Sequence, residues 1–240
     1  MTNAAAQCSG LRFSPHGAWQ KVPLEAVREQ LRLAWVRWGL PGRFRVDNGW
    51  PWGSRGDFPT DLSLWLIGLG VGMHWNNPRR PQENGVVERS QGTSARWCEP
   101  WTCPTPAELQ ARLDRMDRLH REVYPYQRRL SRLQFFPGLV HSGRPYDQAS
   151  ETALWEWSRV AEHLTTIVPL RCVDQTGRIS LYNKGHYVGR IHRGKDVYVL
   201  YDPEFNEWVF ADREGRQLSR RSADQLSPER VMNLNVTNRR

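Results

Sequence analysis

The chain has 240 residues, enough for one large domain or two small ones, and its 39% apolar content with twelve tryptophans supplies real cores and excludes wholesale disorder. Its 34 basic residues against 25 acidic ones leave a net charge of +9, spread along the chain and not held in a detachable tail, which suits contact with a long polyanion such as nucleic acid. The longest apolar-leaning run, Leu62 to Val71, falls short of the roughly 18 residues a membrane span needs, and the start MTNAAAQCSG lacks the basic and apolar parts of a secretory signal, so a cytoplasmic protein without membrane contact is expected.

Leu24, Val27, Leu31, Trp35 and Trp38 recur at helical intervals and predict a helix from Pro23 to Trp38, ended by Gly39 and Pro41. Phe44-Arg45-Val46 then reads as a short strand that delivers Asp47 to its carboxyl end. A loop rich in Gly and Pro (48–59) leads to Thr60, which can cap a helix with Leu62, Trp65, Leu66 and Leu69 on one face and Gly70 at its close. Val71 to Trp75 is the next strand, 76–83 is a polar loop holding Pro78 and Pro81, and Asn84 can cap a helix reaching about Trp97. This order predicts an α/β layout with a parallel sheet, in which functional residues sit at the carboxyl ends of strands.

The middle of the chain reads as helical. Thr105-Pro106-Ala107-Glu108 is a capping box with Pro at the first helical position, and Leu109, Leu113, Met116 and Val123 form an apolar stripe. A loop from Pro125 to about Gln148 precedes another helix ending near Leu164. From Thr165 the texture is β: Ile167 to Val173, Arg178 to Leu181, Tyr187 to Ile191, Asp196 to Tyr201 and Glu207 to Ala211 are strand-like, with turn residues between them, including Asn183 to Gly185. Short strands at this density predict a small closed barrel. Cys8, Cys98, Cys103 and Cys172 match neither a disulfide framework nor zinc-finger spacing and read as reduced thiols.

Two carboxylates stand out by position. Asp47 ends a strand, and Glu88 falls in the first turn of a helix, where the dipole favours its ionised form by a few tenths to about 1 kcal/mol. An ionised oxygen pair suits Mg²⁺. Taken singly, Asp before Asn-Gly is also a common turn and Glu a common cap partner. Trp50 and Trp52 can stack on an unpaired base or close a loop over the core, the second reading being favoured, and His74 reads as structural.

Arg45-Val46-Asp47-Asn48-Gly49 and Pro78-Arg79-Arg80-Pro81-Gln82-Glu83-Asn84-Gly85-Val86-Val87-Glu88-Arg89 together resemble the second and third signatures of bacterial insertion-sequence transposases of the retroviral-integrase catalytic-core superfamily. The resemblance runs from about residue 20 to 165, and Trp38-Gly39-Leu40-Pro41 fits it. It implies an incomplete RNase-H-like core over 1–100, a helical connector over 101–164 and an SH3-like β-barrel over 165–240. It also implies two-metal phosphodiester chemistry with Mg²⁺ or Mn²⁺, Asp47 and Glu88 being the second and third ligands of a carboxylate triad. Arg79, Arg80, Arg89 and Arg96 would face DNA beside that site. Arg178, Lys184, Arg190, Arg193, Lys195 and the pair Arg220-Arg221 would do so from the barrel.

The family's first Asp lies well upstream of the second, yet residues 1–46 hold no Asp, and their two acids, Glu25 and Glu29, belong to the first helix. The resemblance therefore implies an amino-terminally truncated core, inactive by itself. Three readings follow: a transposase or integrase fragment, a non-catalytic DNA-binding or regulatory remnant, and one part of a split enzyme. DNA is the expected partner, with a second copy or an intact transposase alongside.

Overall fold

A computed structural model of the chain describes residues 23–53, 56–77 and 85–237, with the side chains of 86–88, 90 and 91 outside the description. The elements run α1 (Leu24–Trp38), β1 (Arg43–Val46), α2 (Asp61–Gly68), β2 (Gly72–Trp75), α3 (Gly85–Cys98), α4 (Pro106–Arg118), β3 (Pro125–Gln127), β4 (Leu130–Ser131), α5 (Arg132–Phe135), α6 (Glu151–Leu154), α7 (Trp157–Thr165), β5 (Leu170–Cys172), β6 (Arg178–Leu181), β7 (Lys184–Tyr187), β8 (Asp196–Asp202), β9 (Glu207–Ala211), β10 (Gln217–Ser222) and α8 (Pro228–Met232). The protein is thus mixed α/β with several small sheets. Among the described residues no helix is long and apolar enough to cross a membrane.

The chain forms two compact units, and their seams differ from the three segments expected at 100 and 164. Met1–Asn48 with Val71–Thr152 makes one, and Gly49–Gly70 with Ala153–Arg240 makes the other.

In the first unit, α1 buries Val27, Leu31, Ala34 and Trp35, as its periodicity predicts. Its end is shaped by the 142–144 segment: Ser142 N–H donates to Trp38 O (2.9 Å) and Leu40 N–H to Arg144 O (2.8 Å). A side chain at Gly39 (φ +78°) would stand 2.3 Å from Ser142 Oγ and 2.7 Å from Arg144 O, which explains the Gly in the Trp-Gly-Leu-Pro run. From inside the same unit, buried Glu151 takes a bidentate bond from Arg32 (2.8 and 2.6 Å) and a short one from the Tyr146 hydroxyl. The Tyr146 ring meets Trp35 edge-on at 5.3 Å.

α3 and α4 share a core of Cys98, Leu109, Leu113 and Met116. The Thr105 hydroxyl caps α4 by accepting from Glu108 N–H (3.2 Å). The predicted stripe fails at its last member. A π-helical turn over Leu119–Val123 adds a residue to the helical repeat, so Val123 rotates outward and is 66% exposed.

In the second unit every residue of α2 is buried. Thr60 caps its start, and the carbonyl of Gly68 at its end accepts from Glu156 N–H and Arg159 Nη1 (both 3.0 Å). β10, β9, β8 and β5 form an antiparallel sheet in that order, with Val197, Val199, Tyr201, Trp208 and Phe210 on its buried face.

The barrel expectation needs correction: no sheet closes into a barrel among the described residues. β6 and β7 form a separate hairpin whose turn is Tyr182-Asn183, both at positive φ, and not Asn183 to Gly185. The hairpin lies over the sheet, with His186 and Phe210 rings 6.3 Å apart. Closure fails because the strand expected over Tyr187 to Ile191 ends at Tyr187. Gly189 (φ +142°) turns the chain there into a 3₁₀ turn at Arg190–His192.

Candidate nucleic-acid interface and carboxylate edge

β1 and β2 pair in parallel, Arg43 to Gly72 through Val46 to Trp75, with Phe44 and Val46 buried. Alternation places Arg45 on the other face, and Asp47 emerges exposed just past the strand end. The two chain exits are tied together by Asn76, a buried residue that sequence reasoning passed over as loop. Its N–H donates to Val46 O (2.9 Å), its Oδ1 accepts from Arg45 Nε (2.7 Å), and its carbonyl accepts from Asn48 Nδ2 (2.8 Å). Both sequence neighbours of Asp47, Val46 and Asn48, are therefore tied to Asn76, and the carboxylate is presented from a fixed edge.

Glu88 occupies the first turn of α3, as expected, but its side chain lies outside the described residues, as do Arg79, Arg80 and Asn84. Arg89 and Arg96 are exposed on α3, and Arg96 Nε donates to Gly92 O (3.3 Å) within its own helix. Among the described residues no three His, Cys, Asp or Glu side chains converge in a metal-binding group. Trp52 fits the loop-closing reading: its carbonyl accepts from Ser63 Oγ (2.7 Å) at the start of α2, and its ring is half-buried. His74 is exposed.

In the second unit the basic residues fall into two groups. Lys184 is ion-paired with Asp224, and Arg220 with Asp202 and Glu207. Arg178, Arg190, Arg193 and Lys195 are exposed, and their side chains have no hydrogen-bond or ion-pair partner among the described residues. Arg178 and Arg190 line an open depression of about 520 Å³ with Thr176 and Tyr187.

Local sequence dictates that shape. The Asp174 carboxylate accepts from Thr176 N–H (2.7 Å), Thr176 Oγ1 (2.7 Å) and Arg178 N–H (2.9 Å), and these bonds, the Arg178 one first, hold its pKa below the usual carboxylate range. At Gly177 (φ +82°) a Cβ would lie 2.7 Å from Arg190 N, so only Gly lets the two loops meet. Gly177 O then accepts from Val188 N–H (2.8 Å) and Gly189 N–H (3.1 Å), and Tyr187 Oη accepts from Arg190 N–H (3.3 Å). Thr176, Gly177 and Tyr187 were not among the expected contacts. The Asp-x-Thr-Gly-Arg turn was the available signal.

The fold and these two sites define a mixed α/β protein with a carboxylate at a parallel strand end and a basic surface on a β unit. No family model matches the chain.

Proposed function

We propose that the chain is a DNA integration or transposition protein of the integrase catalytic-core type, carrying part of an RNase-H-like core, that binds DNA and does not cleave it by itself. The observation that carries this is Asp47, held at the carboxyl end of a parallel strand inside Arg45-Val46-Asp47-Asn48-Gly49, with Glu88 in the first turn of the later helix α3. The unpaired bases Arg178, Arg190, Arg193 and Lys195 support polyanion binding by the β unit.

Mg²⁺ or Mn²⁺ would be held by Asp47 and Glu88. Two ions about 3.5–4 Å apart need several converging carboxylates, and this pair alone does not fit that requirement. A third carboxylate would have to come from another segment or chain, for which a second copy or an intact transposase is the natural source. A non-catalytic, regulatory role for the isolated chain is the second reading, and the incomplete donor set favours it.

The test combines binding with chemistry. Affinity for a DNA duplex should fall steeply with salt, through release of condensed counterions, and the triple variant R190A/R193A/K195A should lower the log–log slope by up to about 2.7. Lys184→Ala should change it less, because Asp224 already neutralises that charge. With Mg²⁺ or Mn²⁺ the chain alone should neither nick DNA nor transfer strands. A flat salt dependence removes DNA as the partner, and cleavage that Glu88→Gln abolishes shows that a complete site exists.

A further inference from the structure

The hairpin of β3 and β4 has a two-residue loop, since Gln127 pairs directly with Leu130. Its loop residues are Arg128 (φ +50°) and Arg129 (φ +63°). A two-residue loop with both φ values positive is the turn that matches strand twist, and it selects Asn-Gly or Asp-Gly because a Cβ-bearing residue is strained in left-handed backbone. A second such hairpin among the described residues uses Tyr182-Asn183, with Asn, a tolerant residue, in the second position. At Arg128-Arg129 neither position has a tolerant residue.

Nothing among the described residues explains the choice. Both arginines are exposed, and neither guanidinium has a hydrogen-bond or ion-pair partner among the described residues. The base of the hairpin, in contrast, is firmly built. Ser131 and Gln134 form a reciprocal capping box (3.3 and 2.8 Å). Arg132 donates to His120 O (3.0 Å) and lies over the Tyr126 ring at 5.0 Å, and that ring meets Phe135 edge-on at 5.6 Å. A rigid pedestal thus carries a strained, doubly cationic tip. Strain that persists on a well-supported element points to function at that element.

We propose that the Arg128-Arg129 tip is a phosphate-backbone contact, two adjacent guanidiniums carried on a fixed turn to meet nucleic acid. Guanidinium forks match phosphate oxygens bidentately, and a tip already fixed in the turn loses little freedom on binding. The proposal rests on the DNA-binding reading above but concerns the unit that carries Asp47, not the β unit.

Two variants separate charge from backbone. R128N/R129G removes charge and relieves the turn; R128Q/R129Q removes charge and keeps the strain. On a labelled duplex of about 30 base pairs, both should bind roughly tenfold more weakly at low salt and lower the log–log salt slope by about 1.8. R128N/R129G should also melt about 2–4 °C higher than wild type, while R128Q/R129Q should not. Wild-type affinity and slope in either variant overturn the tip contact and leave the DNA-binding reading standing. A lower melting temperature for R128N/R129G overturns the strain argument. Failure of the wild-type chain to bind DNA, with or without capture by polyglutamate, removes both readings.

Discussion

Thr237 folds back onto Asp61 across 176 residues of sequence. Its N–H lies 3.2 Å and its hydroxyl 2.8 Å from Asp61 Oδ1, and the carboxylate is 2% exposed in the first turn of α2. Asp61 therefore both serves the helix start and anchors the segment at Thr237. Asp61→Ala should destabilise the second unit by about 1–2 kcal/mol, because it strips two half-buried Thr237 donors of their acceptor. Urea unfolding followed by tryptophan fluorescence checks this. Thr237→Val should reproduce a smaller part of the loss.

Arg32 and Glu151 form a buried ion pair, the Glu side chain 4% and the Arg side chain 12% exposed. Glu151→Gln should cost about 2–4 kcal/mol, since it leaves a mostly buried guanidinium paired only with the half-exposed Glu29. Replacing the whole group, R32M/Y146F/E151L, should recover most of that stability, because no polar group is then stranded. Equal loss in both variants would show that a stranded guanidinium is not what destabilises Glu151→Gln.

Gly68 faces the indole of Trp155, where an added Cβ would lie 2.0 Å from Nε1. That indole also donates to Trp65 O (3.2 Å), so it has little room to yield. Gly68→Ala should destabilise by about 1–3 kcal/mol through overpacking, although Ala is worth up to about 1 kcal/mol more than Gly in a helix. A thermal midpoint at or above wild type would overturn this.

His186 is 3% exposed, and burial first, then the charges of Lys184 and Arg221, pushes its pKa down to about 4, with Asp224 opposing. Its ring nitrogen lies 3.2 Å from the Gln225 amide, and with that amide turned, its oxygen accepts from both His186 Nε2 and Trp208 Nε1 (2.9 Å). Between the unfolded value near 6.5 and about 4 the unfolded chain binds the extra proton, so stability is intact above pH 6.5 and falls as pH drops towards 4. The loss attributable to His186 should reach roughly 3 kcal/mol at most. His163, lowered by burial, acts in the same direction. In His186→Gln the slope of stability against pH over this window should flatten; an unchanged slope assigns the effect elsewhere.

Periodicity and punctuation alone located α1, β1, α2 and β2 to within a residue or two of their ends, and the start of α4, because Leu31 and Trp35, Thr60, Gly70 and Thr105-Pro106 act through contacts only a few residues away. The placement of Asp47 at a strand end, and Glu88 in a first helical turn, was legible for the same reason. What the sequence could not determine depends on partners far along the chain. Nothing near Asn76 signals that it ties Arg45 and Asn48, and nothing near residue 61 signals that α2 belongs with Trp155, Glu156 and Thr237. The barrel did not close because the chain leaves its strand after Tyr187 and turns at Gly189, where Gly177 meets the backbone of Gly189 and Arg190, a contact between loops that no strand propensity encodes. Which bases are unpaired was likewise a tertiary decision. Lys184 and Arg190 look alike as letters, and only folding set Asp224 beside one and left the other facing water.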